Sequence, residues 1–170
     1  MGGGGIGVKT GMGMHEAYIG LGSNLGDRQV LVSSAVQALR CSPGVGRVEV
    51  SSMYETPPVG GPAGQGCYLN AAARVETILD PPELLRLLIG IEERLGRVRS
   101  ERWGARTIDL DLLLYEDRVV ATAELTIPHP RMHERVFVLA PLAEIAPDVC
   151  HPILGLTVRE LLASHGVSDV

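Results

Sequence analysis

The sequence is poor in several residue types that usually announce a chemistry. Cysteine occurs three times, at Cys41, Cys67 and Cys150. An odd number with no CxxC spacing counts against both a disulfide framework and a zinc site. No apolar run approaches the roughly 20 residues needed to span a bilayer. The head, MGGGGIGVKTGMGM, lacks the continuous apolar stretch of a secretory signal. Both features predict a cytoplasmic chain with no membrane partner. Positive charge is not in excess: the net charge of −5 and a pI near 5.5 argue against nucleic acid as a partner and for a small phosphate compound if any. Aromatic residues make up 4% of the chain, with one Trp, one Phe and four Tyr, so the position of each is informative. At 170 residues the length suits one domain with a sizeable core. The expected organisation is a flexible glycine-rich leader over 1–14 and a single domain over 15–170.

What the chain does contain is the segment ERWGARTIDLDLL, residues 101–113. In a strand, side chains alternate between faces, so Asp109 and Asp111 project together while Leu110, Leu112 and Leu114 project to the other side. Two carboxylates held that close repel unless a cation compensates them. Magnesium is the natural compensator, being held by one or two carboxylates together with substrate phosphates. Arg97, Arg99, Arg102 and Arg106 lead into the strand, and their planar forks suit bidentate contacts to phosphate oxygens. Acid strand and basic loop together predict a metal and polyphosphate site.

Periodicity supplies the frame around it. His15 to Leu21 reads as a strand, and Ser23 and Asn24 turn and cap the chain into a helix from Leu25 to Arg40. Residues 48–54 alternate as a second strand, followed by the proline and glycine loop PPVGGPAGQG over 57–66, of the kind that forms lids and binding loops. Tyr68 to Ile78 reads as a third strand, and Asp80 caps a helix that runs to Leu95. Glu92 lies four residues after Leu88 and seven after Leu85, so it should face inward and needs a partner there, either a nearby arginine or a ligand. Thr107 to Tyr115 is the aspartate strand, with Glu116 to Arg118 turning it into a hairpin with Val119 and Val120. A short strand over 124–127, an apolar helix over 136–145 containing Pro141 near its first turn, and a terminal helix from Thr157 complete the reading. The order strand, helix, strand, strand, helix, strand is ferredoxin-like: an α+β fold whose antiparallel sheet packs with helices, here a three-layer α/β/α arrangement with added C-terminal elements.

GLGSNLGDR, with Gly20, Gly22 and Gly26, is incomplete as a phosphate-cradling loop, and turn and cap residues explain it adequately. Three classes remain open from the residues alone: a magnesium-dependent phosphotransferase, a metal-dependent phosphoester hydrolase, and a non-catalytic nucleotide- or RNA-binding ferredoxin-like module.

AYIGLGSN, SSMYETPPVG, CYLNAA, IEERLGRVR, ERWGARTIDLDLL and IPHPRMHERVFVLAPLAEIAP, in that order, resemble the 6-hydroxymethyl-7,8-dihydropterin pyrophosphokinases of folate biosynthesis. The resemblance covers about Ala17 to Leu162. It implies an enzyme that transfers pyrophosphate from ATP to the hydroxymethyl group of the pterin and releases AMP; as for assembly, a monomer is expected. It implies two Mg2+ ions on Asp109 and Asp111, with Arg97 and Arg106 as catalytic arginines on a mobile loop. Tyr68 and Phe137 would sandwich the pterin, whose edge Asn70 and the segment Thr56, Pro57, Pro58 and Val59 would read. Glu92, Arg99, Arg102, Trp103, Ile108, His129 and Arg135 would contact ATP or the loop that closes over it. Two departures stand out: Pro130 follows His129 where relatives can carry tyrosine, and Ser100 alone separates Arg99 from Glu101.

Overall fold

In the computed structural model, which describes residues 13–97 and 107–166, the sheet is organised by β1 (His15–Ser23). Alternation splits this strand between two cores: Ala17, Ile19 and Leu21 enter one, and Tyr18 enters the other. β1 pairs antiparallel with β4 (Tyr68–Thr77) on one side and with β5 (Asp109–Tyr115) on the other. β2 (Val45–Val50) and β3 (Tyr54–Thr56) both pair with β4, giving the order β2-β4-β1-β5 with β3 on the same side of β4 as β2. The single strand expected over 48–54 is thus two strands. The break falls at Ser51, whose hydroxyl accepts the Ala72 N–H at 2.9 Å and donates to the Ser52 carbonyl, a side chain standing in for the backbone ladder.

Helices α1 (Arg28–Arg40) and α2 (Pro81–Arg94) cover one face of the sheet, and their buried Val32, Leu39, Leu84, Leu88 and Ile91 meet Ile19, Ala73, Val75 and Leu112 there. α3 (Val136–Ile145) and α4 (Val158–Ala163) supply the other core with Tyr18, Ala72, Leu113 and Leu114. The α+β, three-layer expectation holds. α2 starts as its sequence requires, with Asp80 and Glu83 bonding reciprocally across the first turn. α1 starts later than expected: Asp27, not Ser23 or Asn24, accepts the Val30 N–H, because Ser23 is still in strand β1 and Asn24 is bound to Gln65 in the long loop. Pro141 falls in the second turn of α3, and having no N–H it cannot donate to the carbonyl of Phe137 four residues earlier. Glu144 at the far end of α3 accepts from Ser52 and from the Tyr54 hydroxyl at 2.6 Å, tying that layer to β3.

Two corrections concern β5. Tyr18 is opposite Leu114 while Ile19 is opposite Leu112, so Leu113 is an extra, bulged residue. Leu110 and Leu112 face α1 and α2 as expected, but beyond the bulge the alternation is shifted by one, and Leu114 packs with Leu113 in the α3 core. The hairpin of β5 with Val119 and Val120 does not form. Instead β6 (Val120–Ala121) pairs with β7 (Thr126–Ile127) as a separate two-stranded sheet. After β7 the chain returns to β5, where the His129 N–H donates to the Leu113 carbonyl at 2.8 Å.

Of the expected leader, residues 1–12 lie outside the described residues, and β1 begins at His15, the expected start of the first strand.

Candidate active site

The register places two rows of side chains across the α3 face of the sheet. In the first, Asp109 on β5 is opposite Gly22 on β1, which is opposite Asn70 on β4. In the second, Asp111 is opposite Gly20, which is opposite Ala72. The two aspartates do share a face. The residues beside them on the central strand have no side chains, leaving an open floor. A Cβ built on Gly22 would lie 3.2 Å from the Asn70 Oδ1 and 3.8 Å from the Tyr68 ring, so glycine keeps the floor low between acid and amide. Gly20 and Gly22 therefore act from within a strand, not as a phosphate-cradling turn.

Above this floor is a cavity of about 560 Å³. Thr56, Pro57, Val59, Tyr68, Asn70, Asp109, Asp111, His129, Arg135 and Phe137 all line it, so the structure gathers these expected residues from four separate parts of the chain. Asn70 is buried, and its amide nitrogen donates to the Thr56 hydroxyl at 2.6 Å, which fixes the side chain's orientation. Tyr68 is opposite Thr56 in the β3–β4 pair. Phe137, in the first turn of α3, lies under the guanidinium of Arg135 at 5.6 Å from its ring centre. Pro58 is adjacent to the lining but not part of it.

His129 belongs to this site even though its segment is distant in sequence, because the bulge at Leu113 presents the carbonyl that holds it. Its Nδ1 accepts the Arg131 N–H at 3.2 Å, which assigns the proton of the neutral ring to Nε2. Burial, followed by the positive charge of Arg135, holds its pKa below the ordinary histidine value. His129 is thus a neutral donor.

Glu92 faces inward as its spacing predicts, and of the two partners considered it has the arginine. Its carboxylate accepts the Leu110 N–H at 2.7 Å and pairs with Arg97. The same Arg97 nitrogen, Nη1, lies 3.0 Å from Oδ1 of Asp109. Burial raises the Glu92 pKa, against the opposing pull of the Leu110 N–H and Arg97. Glu92 does not line the cavity, and Ile108 is wholly buried in the α1 and α2 core, so neither side chain is placed to touch a ligand in the cavity. Arg99, Arg102, Trp103 and Arg106 lie outside the described residues. Sequence reading missed Gly20, Gly22, Arg131, Glu134, Val136 and Val138, which also line the cavity. The one available signal was the pair of glycines two apart in a strand.

The donor set suits magnesium. Asp109 and Asp111 offer hard oxygen ligands over a floor without side chains, and among the described residues no three His, Cys, Asp or Glu side chains converge as a metal cage. That is the pattern for an ion that keeps waters and takes its remaining ligands from a phosphate substrate.

Comparison with known proteins agrees with this geometry. A family model described as 7,8-dihydro-6-hydroxymethylpterin-pyrophosphokinase (HPPK) matches residues 18–147. A 2-amino-4-hydroxy-6-hydroxymethyldihydropteridine pyrophosphokinase of Methylorubrum extorquens is 49% identical over 157 residues, spanning 92% of this chain and 98% of its own. One of the same name from Bacillus subtilis is 52% identical over 133 residues, 78% of this chain and 79% of its own. Among solved structures, wild-type HPPK-DHPS of Plasmodium falciparum with pteroate superposes with a TM-score of 0.71 at 18% identity. The match covers 90% of this chain and 42% of the other, so this chain spans less than half of that protein, and the likeness is one of fold.

Proposed function

The chain belongs to the 7,8-dihydro-6-hydroxymethylpterin-pyrophosphokinase family, and from that premise we propose how its residues divide the work of transferring pyrophosphate from ATP to the pterin hydroxymethyl group. The observation that carries the reading is the row Asp109, Gly22, Asn70: a carboxylate for a metal–phosphate complex and an oriented amide for a heterocycle, separated by a residue with no side chain.

ATP enters as its magnesium complex. Asp109 and Asp111 would hold the two ions, which would supply neutralisation of the phosphate oxygens around the phosphorus under attack. Arg135, and His129 through Nε2–H, supply further positive charge and a donor to the phosphates. Arg97 and Arg106 are the arginines that stabilise the transferring group, with Arg99, Arg102 and Trp103 closing over it. The pterin lies between Tyr68 and Phe137 with its polar edge on Asn70, and the segment from Thr56 to Val59 bounds that end of the cavity. Stacking and the fixed amide hold the hydroxymethyl oxygen toward the aspartates, and this placement converts an encounter of two substrates into a positioned attack.

The products test the reading. Incubation with ATP, Mg2+ and 6-hydroxymethyl-7,8-dihydropterin should yield AMP and the pterin diphosphate in equal amounts. ADP as the nucleotide product, or phosphate release without pterin, contradicts it.

A further inference from the structure

The contact between Arg97 and Asp109 places a guanidinium on one of the two carboxylates assigned above to the metal. Arg97 follows α2, and its Nη1 lies 3.0 Å from Asp109 Oδ1 while also pairing with Glu92. The arrangement is built rather than incidental. Glu92 is 4% exposed, and its Oε1 is pinned by the Leu110 N–H at 2.7 Å, on the side of β5 away from β1 and between the two aspartates in sequence. The side chains of Arg97 and Asp109 are 16% and 24% exposed, so the pair is partly withdrawn from water.

We propose that Glu92 is a positioning residue that parks Arg97 on Asp109 as a removable counter-cation, so that a divalent metal ion and the arginine exchange places on that carboxylate. The inference rests on the assignment of Asp109 to the metal. Asp109 Oδ1 has limited capacity for two cations at once, because a guanidinium and a metal ion on one oxygen repel. Metal arrival therefore weakens the hold on Arg97 from Asp109 and leaves it attached at Glu92, beside the carboxylates and facing the phosphates that come with the metal. Before the metal arrives, Arg97 relieves the repulsion between Asp109 and Asp111. Glu92 then has a different part from a ligand contact: it keeps the arginine within reach in both states, and it does so from a point fixed to the same strand as the aspartates.

The test uses Mn2+ alone as probe, followed by the loss of the free-ion paramagnetic resonance signal, with AMP formation measured separately on the wild-type chain. Arg97→Met should bind Mn2+ about tenfold tighter than wild type, the scale of removing one partly buried ion-pair competitor. A second measurement needs no variant. The Arg97 guanidinium N–H resonances should be slowly exchanging in the metal-free protein, and should broaden or shift when Mg2+ is added. Unchanged or weaker Mn2+ binding by Arg97→Met, no measurable binding by either protein, or Arg97 resonances indifferent to Mg2+ overturns the exchange. If wild type makes AMP while those signs fail, only the exchange is wrong. If no AMP forms and no Mn2+ binds, the assignment beneath it falls as well.

Discussion

Gly22 shows how much of the site depends on an atom that is missing. An alanine there would put a methyl 3.2 Å from Asn70 Oδ1, forcing the amide away from Thr56 and raising the floor where the heterocycle is assigned. Gly22→Ala should raise KM for the pterin roughly tenfold, the scale of one misplaced methyl in a fitted pocket. KM for ATP should hold, and the unfolding free energy should change by less than about 1 kcal/mol, since alanine favours a strand over glycine. Steady-state kinetics in each substrate, with a urea unfolding curve, checks this. His129 gives a pH test. The fold lowers its pKa through burial and Arg135, so as pH falls the unfolded chain takes the proton first. The stability gained from the neutral ring is complete above about 6.5 and is lost as pH falls from there through the folded-state value. His129→Gln should lose less stability than wild type between pH 7.5 and 5.5. Part of the acid loss should remain, because burial and then His133 lower the pKa of His151 as well. Equal losses in the two proteins would contradict the assignment. At this scale the sequence was readable where a residue's own period decides its direction: Asp109, Asp111 and Glu92 point where spacing says. It was not readable where the reason lies on another strand, because the use of Gly22 is set by the aspartate and asparagine opposite it.

Elements are legible where they carry their own punctuation. Asp80, Pro81 and Glu83 define the start of α2 without outside help, and the structure begins it there. The bulge at Leu113 has no such local mark, since one more leucine in a run of leucines looks like any other, and only pairing with β1 reveals which residue is extra. The same is true of β6, whose pairing is decided by the return of β7, not by the turn at Glu116. Yet the bulge has the larger consequence. It puts Leu113 and Leu114 in one core and the fully buried Tyr115 in the other, and it supplies the carbonyl that anchors His129. Deleting Leu113 would regularise the strand with Leu114 still opposite Tyr18 and Tyr115 still opposite Ala17, but it would take a buried leucine out of the α3 core and remove the carbonyl that holds His129. The expected cost is at least about 4 kcal/mol, comparable to losing a large buried side chain. Calorimetry should show a strongly lowered or absent unfolding transition. A variant that melts like wild type would mean that the ladder can absorb the residue elsewhere.

Across the whole molecule, one face of a single sheet does two jobs. Under α3 and α4 it is apolar, with Tyr18, Ala72, Leu113 and Leu114 packed beneath Leu139 and Leu142. At the other end of the same strands it presents Gly20, Gly22, Tyr68, Asn70, Asp109 and Asp111 to a cavity that α3 borders only with its first turn. Among the described residues, the site is the part of a core face that no helix roofs. That division was out of reach of the sequence, because strand periodicity gives the face of a residue but not which stretch of that face a distant helix will cover. It also makes binding and folding share a scaffold. A ligand on the floor bridges β1, β4 and β5, the strands that carry both cores, so occupancy should stabilise the entire fold and not just a loop. At 100 times its dissociation constant a ligand that binds only the folded chain adds about 2.7 kcal/mol. An ATP analogue with a methylene between the α and β phosphorus atoms cannot complete the transfer, and with Mg2+ it should raise the unfolding midpoint. Adding the pterin should raise it further. Asp109→Ala should lose the nucleotide's increment when Mg2+ is present, because the metal–phosphate complex has lost a ligand there. If the nucleotide stabilises the Asp109→Ala chain as much as wild type, the phosphates are held by the arginine and histidine wall alone, and the aspartate row is not the metal's seat.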